Sequence, residues 1–217
     1  MKKDRKFVLD SDIEAHYESG VEKDRLIKDT ERLEFHRTKQ IISRYLPKKP
    51  ATILDIGAGP GVYTSWLAEM GHIVHLVDPT PLHVTQAKER MTETGISKFA
   101  SAIDGSRGGY IRDPDFMKII QRDLKESQHR NPGKHPQYFT TAYFHHPSEL
   151  GEEVREAGFG DVTVFAVEGF AWLLPDFEKL WTDDESRERL LSLIEATETE
   201  PSLIGVSAHL LCVGQKR

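Results

Sequence analysis

Three closely spaced glycines and one carboxylate follow a short apolar run, a combination that suits contact between the backbone and a small molecule. The run from Thr52 reads TILDIGAGPG, with Asp55 ahead of Gly57, Gly59 and Gly61. Glycine adopts positive φ angles readily and has no Cβ, so a turn built from it can pass close to a ligand. The next residues, VYTSWLAEMG, have helical spacing. The segment therefore predicts a strand, a glycine-rich turn and a helix.

A second carboxylate follows the next apolar run. The sequence HIVHLVD ends in Asp78, 17 residues after Gly61. In a Rossmann-like unit, a carboxylate at this position binds the hydroxyls of a ribose. Ligands of such folds bind outside the carboxyl ends of the strands, so Asp55 and Asp78 are expected to flank one cleft.

The charge of Asp55 bears on which ligand the turn would bind. A dinucleotide site keeps the helix N-terminus available for a pyrophosphate, and its usual fingerprint is G-x-G-x-x-G. Here Val62 occupies the last position of that fingerprint. A carboxylate beside the turn would repel phosphate, whereas it would suit a cationic ligand with an amine and a sulfonium, such as S-adenosylmethionine.

The segments LDIGAGPG and VDPTP resemble the first two motifs of the class I S-adenosylmethionine-dependent methyltransferases. The resemblance implies S-adenosyl-L-methionine as the cofactor and a small molecule as the methyl acceptor. It places residues of the glycine turn on the methionine side and a second group at the ribose. The turn residues are Asp55, Gly57, Ala58, Gly59 and Gly61, and the ribose group is Asp78 with Pro79.

The segment HYESGVEKDRL resembles the N-terminal segment of one small-molecule methyltransferase subgroup. In that subgroup a tyrosine at the position of Tyr17 closes over the cofactor. An equally good interpretation is that Tyr17 packs a helix against the sheet.

The resemblance implies an α/β, Rossmann-like methyltransferase fold: a mostly parallel sheet, a C-terminal antiparallel strand pair and helical lid insertions. The segments VTVFAVEGF and SAHLLCVGQKR predict that pair. We expect a single domain over 1–217. Its predicted parts are an N-terminal helical cap (1–46), a cofactor-binding half (47–105), a lid (106–150), and a C-terminal helix, strand pair and helical insertion (151–217).

The middle of the chain is shorter than this fold requires. One strand is predicted there, KFASAID at residues 98–104. It is either the third strand, with Asp104 near the adenine, or the end of the fifth strand leading into the lid, which suits the following sequence better. A βαβ unit takes about 30 residues or more, so core around the fourth strand is absent. A shortened sheet, a homodimer swapped through an open sheet edge and an excised segment all agree with this.

Histidines near the lid are candidates for acid–base chemistry. His145 and His146 could act as a general base on the acceptor, because imidazole titrates near neutral pH. Their position before Pro147 also suits a helix start and packing. These two and the other lid histidines, His129 and His135, show no H-x-x-x-H spacing on one helix, so no metal site is expected.

The composition narrows the classes of partner. The chain has 29 basic and 35 acidic residues, a net charge of -6, and a pI near 5.9, which disfavours a nucleic-acid partner. No apolar run has membrane length, and the apolar run at residues 7–9 is too short for a signal peptide, so a cytoplasmic protein without a membrane partner is expected. The lone Cys212 is expected to be a buried strand residue.

Two other functions remain open from the sequence. A degenerate methyltransferase-like protein would bind the cofactor without turnover. An NAD-dependent oxidoreductase would use Asp78 for the ribose, but it would tolerate Asp55 poorly and has no use for the C-terminal strand pair.

Overall fold

The computed structural model describes residues 30–48, 50–77, 95–133, 135 and 137–216. The chain divides into two compact units. The first comprises Met1–Arg25 and Leu46–Glu93, and the second comprises Leu26–Tyr45 and Thr94–Arg217. That the whole chain forms a single methyltransferase domain stays a prediction.

The described α-helices are α1 (Glu31–Tyr45), α2 (Val62–Glu69), α3 (Ala100–Arg107), α4 (Pro114–Glu126), α5 (Pro147–Glu156), α6 (Phe177–Thr182) and α7 (Asp184–Thr197). The strands are β1 (Thr52–Ile56), β2 (Ile73–Val77), β3 (Gly95–Ile96), β4 (Gln128–His129), β5 (Ala142–Tyr143), β6 (Phe159–Ala166) and β7 (His209–Lys216). Short 3-10 helices span Tyr110–Arg112, Ala171–Leu173 and Ile204–Val206. Within the described ranges, no helix combines the length and the apolar character that crossing a membrane requires.

The first unit contains the predicted strand, glycine turn and helix. Strands β1 and β2 pair in parallel, with Asp55 opposite Leu76. Beyond the last pair, the N–H of Gly57 donates to the carbonyl of Val77 at 2.7 Å, which extends the pairing into the turn. Helix α2 follows the turn and packs on β2. The predicted order of elements is confirmed for this segment.

Only one face of the described β1–β2 pair is covered. Side chains alternate along both strands, and α2 buries Tyr63 and Leu67. A parallel sheet is normally covered on both faces, so the exposed apolar side chains of the other face are unusual. They are Leu54 (59% exposed), Ile56 (71%), Ile73 (61%) and Val77 (51%). A homodimer through an open sheet edge stays a prediction.

The second unit has a three-stranded sheet in the order β3-β7-β6. Strands β6 and β7 are antiparallel, with Val164 opposite Cys212, so the predicted C-terminal strand pair is confirmed. A register shift lies between Gly160 and Thr163. Cys212 lies on β7 as expected and is half-buried, and burial raises the pKa of its thiol despite the opposing charge of Arg155.

Helix α1 contributes to an apolar core with the C-terminal helices. The members of this core are Leu33, Ala171, Phe177, Leu190 and Ile194. Helix α7 begins at Asp184, because the Asp183 carboxylate accepts the N–H of Ser186 at 2.8 Å and caps the helix. Nearby, the buried Trp172 donates its indole N–H to the Val206 carbonyl at 2.9 Å.

The predicted strand at residues 98–104 is wrong. The strand β3 is confined to Gly95–Ile96, and α3 begins at Ala100. Helix formation buries Ala100 and brings Gly105 against Phe116, where an added Cβ would lie 1.7 Å from a ring carbon. Packing on α4 therefore selects the helix, and Asp104 does not lie at a strand end. The order of strand then helix agrees with the second interpretation, in which this segment leads into the lid.

Helix α4 begins at Pro114, directly after its N-cap residue. Asp113 caps α4 by accepting the N–H groups of Asp115 and Phe116. Its carboxylate also accepts the hydroxyl of Tyr138 at 2.5 Å. This hydrogen bond ties the segment after α4 back to the start of the helix.

Candidate functional site

The glycine turn between β1 and α2 has the backbone that its sequence predicts. Gly57, Gly59 and Gly61 have φ angles of 71°, 52° and 93°. These left-handed values penalise residues with a Cβ, so glycine is required at each position. The N–H of Gly61 donates to the carbonyl of Ala58 at 3.2 Å, and Ala58 is fully buried. The turn is therefore a fixed backbone shape.

Asp55 lies one residue before the end of β1, and its carboxylate is held by the following helix. The hydroxyl of Thr64 donates to Oδ2 of Asp55 at 2.6 Å. Asp55 is half-buried, and Thr64 is buried. Thr64 was not among the site residues predicted from the sequence. Its place in the first turn of the predicted helix, just after the glycines, was the signal that could have identified it.

Helix α2 begins directly after the last glycine of the turn. Gly61 occupies the N-cap position and provides no side-chain hydrogen bond. Amide groups in the first turn of a helix have no partners within the helix, and the helix dipole makes this end partly positive. The carboxylate of Asp55 lies on the other side of the glycine turn from this helix end. An amino acid ligand could place its ammonium at the Asp55 carboxylate and its own carboxylate at the helix end.

Three other predicted cofactor residues lie outside the described residues. They are Tyr17, Asp78 and Pro79. The residues predicted to bind the methionine part of the cofactor thus lie together in one turn. The binding of the ribose by Asp78 and Pro79 stays a prediction.

The two candidate bases lie at the start of α5. His146 is the N-cap, and its Nδ1 accepts the N–H of Ser148 at 3.2 Å. In return, the Glu149 carboxylate accepts the backbone N–H of His146 at 3.0 Å. This backbone N–H lowers the pKa of Glu149. His145 Nε2 lies 3.2 Å from a carboxylate oxygen of Glu153. These contacts suit the helix-start interpretation, and the role of general base stays a prediction.

The other lid histidines also have local contacts. His129 is buried, with Nδ1 at 2.8 Å from Asp123 Oδ2 and Nε2 at 3.1 Å from the Phe139 carbonyl. The backbone N–H of His135 donates to the Asn131 side chain at 3.0 Å. These three contacts fold the lid segment onto itself.

The second unit contains a cavity of about 860 Å³. Most of the cavity wall is apolar, and a few charged or titratable side chains also line it. Residues from α3, α5, β6 and the segment after α7 line it, among them Phe99, Ile103, His146, Arg155, Val164 and Ile204. No local spacing in the sequence marks this cavity, because its walls come from distant segments.

Comparison with protein families places a known domain over the glycine turn. Residues 54–106 match a family model described as a methyltransferase domain, which confirms the resemblance seen in the sequence. The match covers about a quarter of the chain and includes the turn and α2. No curated protein matches the chain significantly.

Proposed function

We propose, from the methyltransferase domain over residues 54–106, that the protein transfers a methyl group from S-adenosyl-L-methionine to a small-molecule acceptor. The single observation that carries this proposal is the glycine turn with its fixed carboxylate, inside the matched segment. The family match supports methyl transfer in general. The cofactor and the acceptor class are our proposal.

The turn would bind the methionine part of the cofactor. In our proposal the Asp55 carboxylate binds the ammonium group, and Thr64 fixes the direction of that carboxylate. The partly positive N-terminus of α2, which follows Gly61, would attract the cofactor carboxylate. Gly57, Ala58 and Gly59 would provide a surface without bulky side chains. Asp78 and Pro79 would bind the ribose, and Tyr17 would close over the cofactor.

Methyl transfer from a sulfonium requires mainly alignment. An acceptor lone pair attacks the methyl carbon, the carbon–sulfur bond breaks, and S-adenosylhomocysteine leaves as a neutral thioether. Holding the two reactants in line supplies much of the rate enhancement without a dedicated catalytic motif. A protic acceptor also loses a proton, for which we propose His146 as the base, with His145 as the alternative candidate.

A cofactor-binding protein without turnover is the second candidate. The exposed apolar face of β1 and β2 favours it, because a catalytic sheet of this kind would be expected to have that face covered. Such a protein would bind the cofactor as tightly as an enzyme and would not consume it. An NAD-dependent oxidoreductase would instead bind NAD.

Calorimetric titration with S-adenosylhomocysteine, run beside NAD, tests the proposal. We expect binding of S-adenosylhomocysteine in the micromolar range and no binding of NAD. A folded protein that binds neither ligand would overturn the cofactor assignment. If the cofactor binds, incubation of S-adenosylmethionine with an acceptor library decides between the two candidates, because only the enzyme releases S-adenosylhomocysteine.

Variants of His146 and its neighbour His145 test whether His146 acts as the general base. His146→Asn keeps a capping side chain and removes the imidazole, whereas His145→Gln removes the neighbouring imidazole. With an acceptor from the screen, we expect His146→Asn to lose turnover and keep cofactor affinity, and we expect His145→Gln to keep both. Equal turnover in both variants and the parent chain would contradict a base role for His146.

A further inference from the structure

Two buried carboxylates and one imidazole converge in the second unit. Glu34 lies on α1, Glu168 follows β6, and His209 begins β7. Glu34 and Glu168 are 1% and 2% exposed, and the His209 side chain is 13% exposed. Among the residues that the structure describes, this is the one set of three or more such side chains close enough to share a metal ion.

The potential ligand atoms lie close together. Nδ1 of His209 is 2.5 Å from Glu168 Oε1 and 3.6 Å from Glu34 Oε2, and all three ligand atoms lie within 4.8 Å of one another. Ligand atoms that bind one Zn²⁺ in a tetrahedral site are about 3.4 Å apart. Shifts of about 1 Å in the side chains would give that spacing.

A set of hydrogen bonds fixes the direction of Glu168. Its Oε2 accepts the His209 backbone N–H at 2.9 Å and the Ser207 hydroxyl at 2.8 Å. The Ser207 oxygen in turn accepts the N–H groups of Glu168 and Gly169, each at 3.1 Å. These bonds leave Oε1 directed at the imidazole. Metal ligands are commonly oriented by such outer hydrogen bonds.

We propose that Glu34, Glu168 and His209 bind one divalent transition-metal cation, Zn²⁺ or Mn²⁺. One imidazole nitrogen and two carboxylate oxygens are a donor set that both cations accept. Binding replaces the proton on Nδ1, which leaves to solvent, while Nε2 carries the proton of the neutral ring. Because the site is buried, the cation would join α1 to the β6–β7 pair. This inference does not depend on the proposed methyl transfer.

The full chain tests the site directly. After treatment with EDTA and removal of the chelator, the protein is titrated with ZnCl₂, MnCl₂, MgCl₂ and CaCl₂. We expect one equivalent of Zn²⁺ or Mn²⁺ to bind, measured by inductively coupled plasma mass spectrometry after desalting, and the Tm to rise with the bound metal. Titration of the parent chain with Co²⁺ should give visible absorption bands of a nitrogen- and oxygen-bound ion.

Two variants assign the binding to these residues. Glu34→Gln removes a ligand charge and keeps the shape of the side chain, so we expect affinity to fall about tenfold or more. His129→Gln is the control, because His129 is another imidazole of the same unit that contacts a buried carboxylate, that of Asp123. We expect it to keep the metal.

A folded, EDTA-treated parent chain that binds neither metal, gives no Co²⁺ bands and shows no change in Tm overturns the proposal. Equal metal content in Glu34→Gln and the parent chain also overturns it, because the cation would then lie elsewhere. If Glu34→Gln does not fold, the Co²⁺ titration of the parent chain decides.

Discussion

The hydroxyl of Thr64 donates to the carboxylate of Asp55 at 2.6 Å, so the first turn of α2 holds the acidic group at the end of β1 in a single direction. The bond crosses the glycine turn from one side to the other. It links Asp55, whose carboxylate would contact the ligand, to Thr64, which would orient that carboxylate.

Removing the charge of Asp55 should weaken cofactor binding. We expect Asp55→Asn to bind S-adenosylhomocysteine at least about tenfold more weakly, because the ammonium loses its charged partner, which corresponds to about 1.4 kcal/mol or more. Thr64→Val should cause a smaller loss, since the carboxylate stays but is less well oriented. Calorimetry gives the affinities, and circular dichroism checks the fold. Unchanged affinity in Asp55→Asn would contradict the placement of the cofactor's methionine part at this turn.

Glycine at position 61 should be needed for both backbone shape and binding. Gly61→Ala places a Cβ at a φ of 93°, which costs about 1–2 kcal/mol of stability. Gly71→Ala is the matched control: its φ is 87°, and an added Cβ would meet no atom within 4 Å. Urea denaturation should show similar losses of stability. Only Gly61→Ala should lose affinity for S-adenosylhomocysteine, and a comparable loss in Gly71→Ala would contradict the placement of the ligand.

Breaking the buried ion pair between Arg37 and Glu198 should destabilise the second unit strongly. Both side chains are buried, and Glu198 also binds Arg44 through two contacts of 2.5 and 2.8 Å. Glu198→Gln leaves the Arg37 charge buried without its partner, which costs about 3–5 kcal/mol. The control Glu195→Gln alters a carboxylate on the same face that is 59% exposed and 3.9 Å from Arg44, so its cost should stay below about 1 kcal/mol. Denaturant midpoints measure both, and equal costs would contradict the prediction.

The same ion pair predicts how stability depends on pH. Burial alone would raise the pKa of Glu198, but hydrogen bonds and positive charge from Arg44 and Arg37 outweigh it and lower the pKa. A carboxyl whose pKa is lowered on folding stabilises the protein fully above its unfolded pKa, about 4.3. That contribution is lost as the pH falls from there through the lowered folded pKa. The difference in the free energy of unfolding between the parent chain and Glu198→Gln should therefore shrink as the pH falls into this range. A difference that stays constant with pH would contradict the prediction.

His146 should stabilise α5 as its N-cap. We expect His146→Ala to cost about 1 kcal/mol, because the cap and its reciprocal bond with Glu149 are lost. His146→Asn should recover most of this stability, since asparagine is a good N-cap. Thermal denaturation of the two variants beside the parent chain measures the difference. Equal destabilisation by both would mean that the imidazole contributes through packing on Phe99 instead.

Local chemistry made the glycine turn and several helix starts predictable. Gly57, Gly59 and Gly61 permit positive φ angles because they lack a Cβ. An aspartate such as Asp183 favours a helix start, because its carboxylate accepts the amide N–H of the residue three positions later. Alternating apolar residues likewise predicted the pairing of β6 and β7. Each of these signals acts over a few residues, so the sequence contains it without knowledge of the rest of the fold.

Long-range packing decided the features that the sequence did not show. Residues 98–104 read as a strand, but Gly105 packs under Phe116 only in a helix, and that contact joins separate helices. The cavity beside His146 and the convergence of Glu34, Glu168 and His209 also join distant segments. The residues at positions 34, 168 and 209 show no spacing that marks a common site. The turn and the elements around it could therefore be predicted from the sequence, because backbone geometry is local. Which buried charges meet is visible in the fold alone, because burial depends on every element that packs there.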